Sequence, residues 1–343
     1  GSSYSSHKHE LLLSAASSKT VSTHQAMLSR CAGRQGIAAS IRACGARTIT
    51  TDERRLALRK NLESGGRMLR GVEVHSGLSA VIAENARAVR ANGQQVKYDF
   101  MWGSSLTQST IRGKPDIELV STDTRIGMIH EAFEVSSLPM IYDGDSGGLP
   151  EIFAHTVRSL ERIGVSAVII EDKQGLKQNS LFGTDREQSL LPIPDFNRKL
   201  QAGKNAQEGK DFMVIARLEA LIAGAGEKVA LERAKAYIED GGADGIMIHS
   251  KEKKPDEIYS FMEQYAKLSN RVPLVVVPSS YNSATETELE ARGASFCIYA
   301  NQLLRAAYPA MMDVAESMLK NERSQEVDDR IMGIKKVLTL IKE

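Results

Sequence analysis

The chain has 343 residues, 42% of them hydrophobic, with 44 Lys+Arg against 43 Asp+Glu. That length can bury a full core in one large or two ordinary domains, and the balanced charge speaks against nucleic acid or an anionic membrane as the main partner. No apolar run approaches the roughly 20 residues that span a bilayer, so a soluble chain is expected, and Cys31, Cys44 and Cys297 show neither a CxxC pair nor zinc spacing.

Residues 1–51 read differently from the rest. From Leu11 to Thr51 there is no acid, while Lys19, Arg30, Arg34, Arg42 and Arg47 punctuate Ser, Ala and Thr. This is the character of an organellar transit peptide, which would direct the chain to the mitochondrial matrix, or else of a disordered tail on a cytoplasmic protein. Residues 52–343 are expected to form one domain. "DERRLALRKNLESG" has apolar Leu56, Leu58 and Leu62 and stops at Gly65-Gly66, the pattern of a helix. Apolar runs then alternate with amphipathic stretches. Strands are expected at "RGVEV", "KYDFMW", "LPMIYD", "SAVII", "FMVIAR", "DGIMI", "PLVVV" and "SFCIY". "PEIFAHTVRSLERIG" places Ile152, Phe153, Val157 and Leu160 on one helical face, and "VALERAKAYIEDGG" ends on a Gly cap.

Eight strands, each followed by a helical pattern, predict an α/β fold of the (β/α)8 TIM-barrel type. Two further helices, "LLRAAYPAMMDVAESMLK" and "VDDRIMGIKKVLTLIK", follow the last strand. The final one sets Ile331, Ile334, Val337 or Leu338, and Ile341 on one face, and an apolar helix left over after barrel closure points to a homo-oligomer.

A barrel gathers whatever follows its strands onto one rim. Those positions hold His75; Trp102, Gly103 and Ser104; Asp143 and Asp145; Glu171 and Asp172; Arg217 and Glu219; His249 and Ser250; Ser279 and Ser280; and Asn301. Asp143, Asp145 and Glu171 form an oxygen-rich set suited to a hard divalent ion such as Mg²⁺ with retained waters. Arg217 offers a planar fork for a carboxylate or phosphate. The Gly103–Ser104–Ser105 turn can present backbone N–H groups to an oxyanion. Trp102 would form an apolar wall. After Glu171, "DKQGLKQNSLFG" delays the next helix with a polar, Gly-containing loop, longer than a plain connection needs and suited to cover a charged site. Together these imply a small, multiply anionic substrate.

"VHSGLSA", "WGSSLT", "DGDSGG", "EDK…KQNSLFG", "ARLEALIAG", "GADGIMIHSK" and "VVVPSSY" resemble the phosphoenolpyruvate mutase family of the isocitrate lyase/PEP mutase superfamily, in order from about Arg54 to the C-terminus. The resemblance implies an Mg²⁺-dependent isomerase that interconverts phosphoenolpyruvate and 3-phosphonopyruvate, the C–P bond-forming step of phosphonate biosynthesis. It also implies a tetramer built of dimers that exchange a terminal helix. Carried over by residue, it makes Asp143 the chief Mg²⁺ ligand, with Asp116, Asp145 and Glu171 holding the ion's waters. Arg217, Ser104 and the Ser105 N–H would grip the pyruvyl carboxylate and enolate oxygen beside Trp102. His249 would meet the phosphoryl group, and Lys177, Asn179, Ser180 and Leu181 would come from a gating loop. "DGDSGGLPE" departs from the family's commoner DADTGYGN-like string, and "AVRANGQQVKYD" is longer than usual.

Two rivals share the superfamily. Its C–C lyases carry a "KKCGH" lid whose Cys is the acid or base, whereas the loop here reads "KQGLKQNSL", with no titratable thiol near it. Phosphonopyruvate hydrolase shares barrel, metal and substrate, and differs in the Lys/Asn/Ser/Leu set that this chain retains.

Overall fold

The computed structural model describes residues 49–175, 177–180 and 188–341. The described residues up to Arg330 form one compact unit, and residues 331–341 fall in a second.

Eight parallel strands close into a barrel: β1 (Leu69–Val74), β4 (Phe100–Gly103), β5 (Met140–Asp143), β6 (Ala167–Glu171), β7 (Met213–Leu218), β8 (Gly245–Ile248), β9 (Leu274–Val276) and β10 (Ala294–Tyr299). Each overlaps an apolar run expected from the sequence, although the run at "KYDFMW" begins as a strand only at Phe100. Strands buried on both faces need no alternation, so they read as continuous Val/Ile/Leu stretches. β1 closes the ring by pairing with β10 on one side and β4 on the other. Two more strands, β2 (Arg87–Val89) and β3 (Gln95–Lys97), form an antiparallel hairpin outside the barrel.

The residues facing the barrel axis, among them Leu69, Phe100, Ile141, Ile169, Ile215 and Phe296, pack as one cluster. Gly71 is part of that packing, because a Cβ there would meet the Phe100 ring at 2.1 Å. A larger cluster fills the layer between the strands' outer faces and the helices.

Helix α1 (Thr51–Gly65) starts on a Thr50 capping box and stops at Gly66, in the left-handed conformation. Its Leu58 joins the axial cluster, so α1 plugs one end of the barrel, while Leu56 faces solvent. The outer helices follow their strands: α2 (Gly77–Asn85), α3 (Ser105–Ile111), α4 (Thr122–Val135), α5 (Pro150–Arg162), α6 (Ile193–Ala206), α7 (Glu227–Glu239), α8 (Asp256–Tyr265) and α9 (Glu286–Ala291). In α5, Phe153, Val157 and Leu160 are buried as expected, but Ile152 is 58% exposed, since it sits one residue ahead of the buried stripe.

After β10 comes the 20-residue α10 (Gln302–Asn321), which has no buried residue. The second expected C-terminal helix is not continuous. A 3-10 turn covers Gln325–Val327, and α11 is confined to Ile334–Leu338 behind an N-cap at Gly333. Glycine inside a helix costs about 1 kcal/mol relative to alanine, which favours a break at Gly333. Among the described residues no helix is long and apolar enough to cross a membrane. The transit-like segment lies outside the described residues, except for its last three.

Candidate active site

The strand ends deliver their polar groups to one mouth of the barrel. Trp102 and Gly103 finish β4, Ser104 caps α3, Asp143 ends β5, Glu171 ends β6, Arg217 lies near the end of β7, and His249 follows β8. The turn after β5 puts Asp145 beside Asp143. Gly144 allows it, because a Cβ there would lie 2.8 Å from side chains of both Val168 and Ile170. Asp145 itself adopts φ 54°, a left-handed conformation uncommon outside glycine and best tolerated by Asn and Asp. Both of its oxygens are held: Arg125 Nη1 donates to Asp145 Oδ2 at 2.9 Å, and Lys177 donates to Oδ1.

Three carboxylates converge on Lys177. Its Nζ stands 3.2 Å from Asp116 Oδ1 and 3.7 Å from Asp143 Oδ2, and it bonds Asp145 and the Ser105 hydroxyl. Asn179 Nδ2 donates to Asp116 Oδ2 at 2.8 Å. The Ser105 N–H and hydroxyl both donate to Asp143 Oδ2, at 3.2 and 2.7 Å. Burial alone would raise the Asp143 carboxyl, but Lys177, Arg217 and Arg125 hold it well below the usual carboxylate range. Burial likewise opposes the Lys177 charge, and the acids Asp143, Asp145 and Asp116 overcome it and raise its pKa.

A second cluster adjoins the first. Arg217 bonds Glu219 through Nε and Ser180 through Nη2, and its Nη1 is 3.4 Å from Glu171 Oε2. Ser180 donates to Glu219 at 2.7 Å and accepts from Lys173 Nζ at 3.1 Å. Both Glu171 oxygens are buried without a hydrogen bond, with Lys173 Nζ 3.4 Å from Oε1. Burial, reinforced by Glu219, pushes the Glu171 carboxyl up to about 7 against the pull of Arg217 and Lys173. His249 Nδ1 is also buried and unpartnered; burial and the Arg217 charge push the imidazole down to about 4, so it is neutral at pH 7.

Trp102, Ser104, Asp116, Asp143, Lys177, Asn179, Ser180, Arg217 and His249 thus share one cleft, although the space left between their side chains is only about 60 Å³. A ligand pocket is usually about 300–1,000 Å³, and Lys177, Asn179 and Ser180 fill part of the room a substrate would need. The N–H of Ser105 is directed to Asp143, the Ser104 hydroxyl accepts from Thr107 N–H, and the Gly103 carbonyl accepts from Arg125. Leu181 lies outside the described residues. Among those described, no group of three or more His, Cys, Asp or Glu stands ready to hold a metal ion: Asp143 and Asp145 meet Lys177, and Glu171 faces Arg217 and Lys173.

Some rim positions do other work. Asp172 faces the helix layer, accepting from Arg233, from the Tyr237 hydroxyl and from the Glu219 N–H, and so fixes the backbone of Glu219. His75 pairs with the buried Glu73 at 2.7 Å and is not among the cleft residues. Conversely, Arg125 and Lys173 were not expected at the site. Lys173 adjoins the "ED" pair and could have been taken with it. Arg125 sits in the first turn of α4, 20 positions from Asp145, with no local signal.

Comparison with known proteins fits this geometry. A family model described as phosphoenolpyruvate phosphomutase matches residues 58–319. Phosphonopyruvate hydrolase from Variovorax sp. (strain Pal2) is 36% identical over 286 residues, 83% of this chain and 93% of its own. The crystal structure of phosphoenolpyruvate phosphomutase from Streptomyces platensis subsp. rosaceus superposes with a TM-score of 0.75 at 35% identity, covering 83% of this chain and 93% of that one. A phosphonopyruvate hydrolase complex with oxalate and Mg²⁺ superposes with a TM-score of 0.72 at 33% identity, covering 84% and 94%. The match spans the whole barrel and every strand that feeds the acid cluster, so the chain belongs to the phosphoenolpyruvate phosphomutase family.

Proposed function

We propose that this chain interconverts phosphoenolpyruvate and 3-phosphonopyruvate as an Mg²⁺-dependent mutase. The observation that carries the reading is the loop after β6: Lys177, Asn179 and Ser180 each reach down into the charged rim, onto Asp145, Asp116 and Arg217. A phosphoryl group leaving the enolate oxygen through a loose, metaphosphate-like state must be kept from water until C3 takes it. The P–O bond breaks ahead of C–P bond formation, and nothing else is consumed. A loop anchored by these contacts supplies that cover.

The donor types suit a hard divalent ion once the Lys177 ammonium no longer takes their oxygens. Asp116, Asp143 and Asp145 offer only oxygens and converge on a single cation, the Lys177 ammonium. Asp143, Asp145, Asp116 and Glu171 are the residues that would hold Mg²⁺, which when bound supplies positive charge to the phosphoryl and enolate oxygens. Arg217 stays charged and can take the substrate carboxylate. His249, neutral and unpartnered, and Ser279, whose buried hydroxyl also lacks a partner, are left to meet the phosphoryl oxygens. The C–C lyase reading lacks its acid: no cysteine lies between β6 and α6, and Cys297 is buried in β10.

The same reading makes the chain a homo-oligomer. α10 exposes Tyr308, Met311 and Leu319 at 67%, 71% and 81%, a row of large apolar side chains that supports assembly with further copies.

Phosphorus NMR of the protein with phosphonopyruvate and Mg²⁺ tests the reaction. Phosphoenolpyruvate is expected as the phosphorus product. Inorganic phosphate with pyruvate as the main products would instead establish the hydrolase, whose Variovorax relative is as similar as the mutases are.

A further inference from the structure

The point on which Asp116, Asp143 and Asp145 converge is occupied by a residue of the chain itself. Lys177 is 4% exposed, and its ammonium meets four oxygens of three carboxylates and a hydroxyl. In sign, in oxygen environment and in position, it stands where a hard cation would. Asn179, two residues on, ties the same segment to Asp116.

We propose that Lys177 and the divalent cation are mutually exclusive occupants of the Asp116–Asp143–Asp145 cluster, so that cation entry evicts the ammonium and hands it to the substrate anion. The proposal rests on the Mg²⁺ reading above and deepens it. The physical ground is exclusion. Mg²⁺ takes oxygens at about 2.0–2.1 Å, and an ammonium sharing those oxygens would stand within a few ångströms of a doubly positive ion. The two cannot share the cluster, and a double charge outcompetes a single one for three acids. Lysine suits the exchange because its compact charge rides on a flexible stem, whereas arginine's planar fork would hold the carboxylates in a fixed pattern.

Two consequences follow. Without the dication, the buried acids keep a counter-ion, which spares the fold their mutual repulsion. With it, the cleft gains the room that Lys177 now takes, and a cation appears above the site at the step that needs one. Loading of the metal therefore prepares the loop to meet substrate.

The cost of this arrangement is measurable, because an internal competitor weakens apparent affinity by the fraction of time it occupies the site. Isothermal titration of the full chain with MgCl2 alone, after EDTA treatment and without substrate, compares wild type with Lys177→Met. If Lys177 holds the cluster about nine-tenths of the time, the variant binds Mg²⁺ about tenfold tighter. Lys177→Gln, uncharged and close in size, should behave the same way. Thermal melts give a second readout: in EDTA both variants melt below wild type, and Mg²⁺ raises their melting temperatures by more than it raises that of wild type. Adding Asp143→Asn to Lys177→Met should abolish the gain. Equal or weaker binding by both Lys177 variants overturns the proposal, as does heat that survives Asp143→Asn. Because substrate is absent, these outcomes are independent of whether the product is phosphoenolpyruvate or phosphate. If neither wild type nor the variants bind Mg²⁺, the metal reading falls and the exchange with it.

Discussion

Asn179 Nδ2 donates to Asp116 Oδ2 at 2.8 Å, joining the loop after β6 to the loop after α3. Neither residue belongs to a regular element, so this bond, with those of Lys177, fixes where the two loops meet. Asn179→Ala should leave the melting temperature near wild type and lower kcat by about 100-fold, the usual scale for a positioning group lost from a site that works by alignment. Steady-state kinetics beside a thermal melt checks both halves, and wild-type turnover would remove the loop from the mechanism.

Arg125 offers a test on the fold side. Its guanidinium lies 4.1 Å from the Tyr142 ring centroid and bonds Asp145, Gln108 and the Gly103 carbonyl, all in buried surroundings. Arg125→Met removes one partner of a buried pair and leaves the other unpaired on that side, which costs about 3–5 kcal/mol. Urea melts should show that loss. Arg125→Lys should recover only part of it, because an ammonium cannot stack and fork at once.

The His249 imidazole gives the pH test. Its folded pKa of about 4 lies below the ordinary 6.5, so the folded state resists the proton. Stability from this group is present above pH 6.5 and is lost as pH falls towards 4. Glu171 acts oppositely: its raised pKa of about 7 stabilises the fold below pH 4.5, and that contribution is lost as pH rises through 7. The two act in opposite directions across this range. In EDTA, His249→Gln removes the first contribution, so between pH 6.5 and 4 it should lose about 3 kcal/mol less stability than wild type. Equal slopes in urea melts across that range would show that His249 is solvated.

The α10 row supplies the assembly test. Light scattering on wild type should give a multiple of the chain mass, and Met311→Glu with Leu319→Glu should reduce it. An unchanged mass in the double variant would place the contact elsewhere.

Much of this was legible in the sequence, for a physical reason. Strands buried on both faces leave uninterrupted apolar runs, so all eight barrel strands, and therefore the rim, could be read directly. The hairpin of β2 and β3 could not, because its residues are largely exposed and carry no hydrophobic pattern; only Asn92-Gly93 hinted at a turn. The C-terminal helix was over-read because its apolar spacing runs across Gly333. Within the site, residue types gave the charge inventory but not who pairs with whom. Nothing in "DKQGLKQ" says that Lys177 lies among three aspartates contributed by other strands and loops, and nothing in "DTRIG" says that Arg125 holds one of them.

Gly71 and Phe100 are partners in the β1–β4 ladder, and the Phe100 ring occupies the space a Gly71 side chain would take, edge-on to Phe296 at 5.8 Å. Trp102, the wall of the cleft, is two residues beyond Phe100 on the same face of the strand. A laboratory search for altered substrate choice that varies one position at a time will find Gly71 intolerant and Phe100 costly. The two must be exchanged together, a larger residue at 71 against a smaller one at 100. Such a paired swap is a route by which this part of the barrel interior could be remodelled and the nearby tryptophan re-aimed.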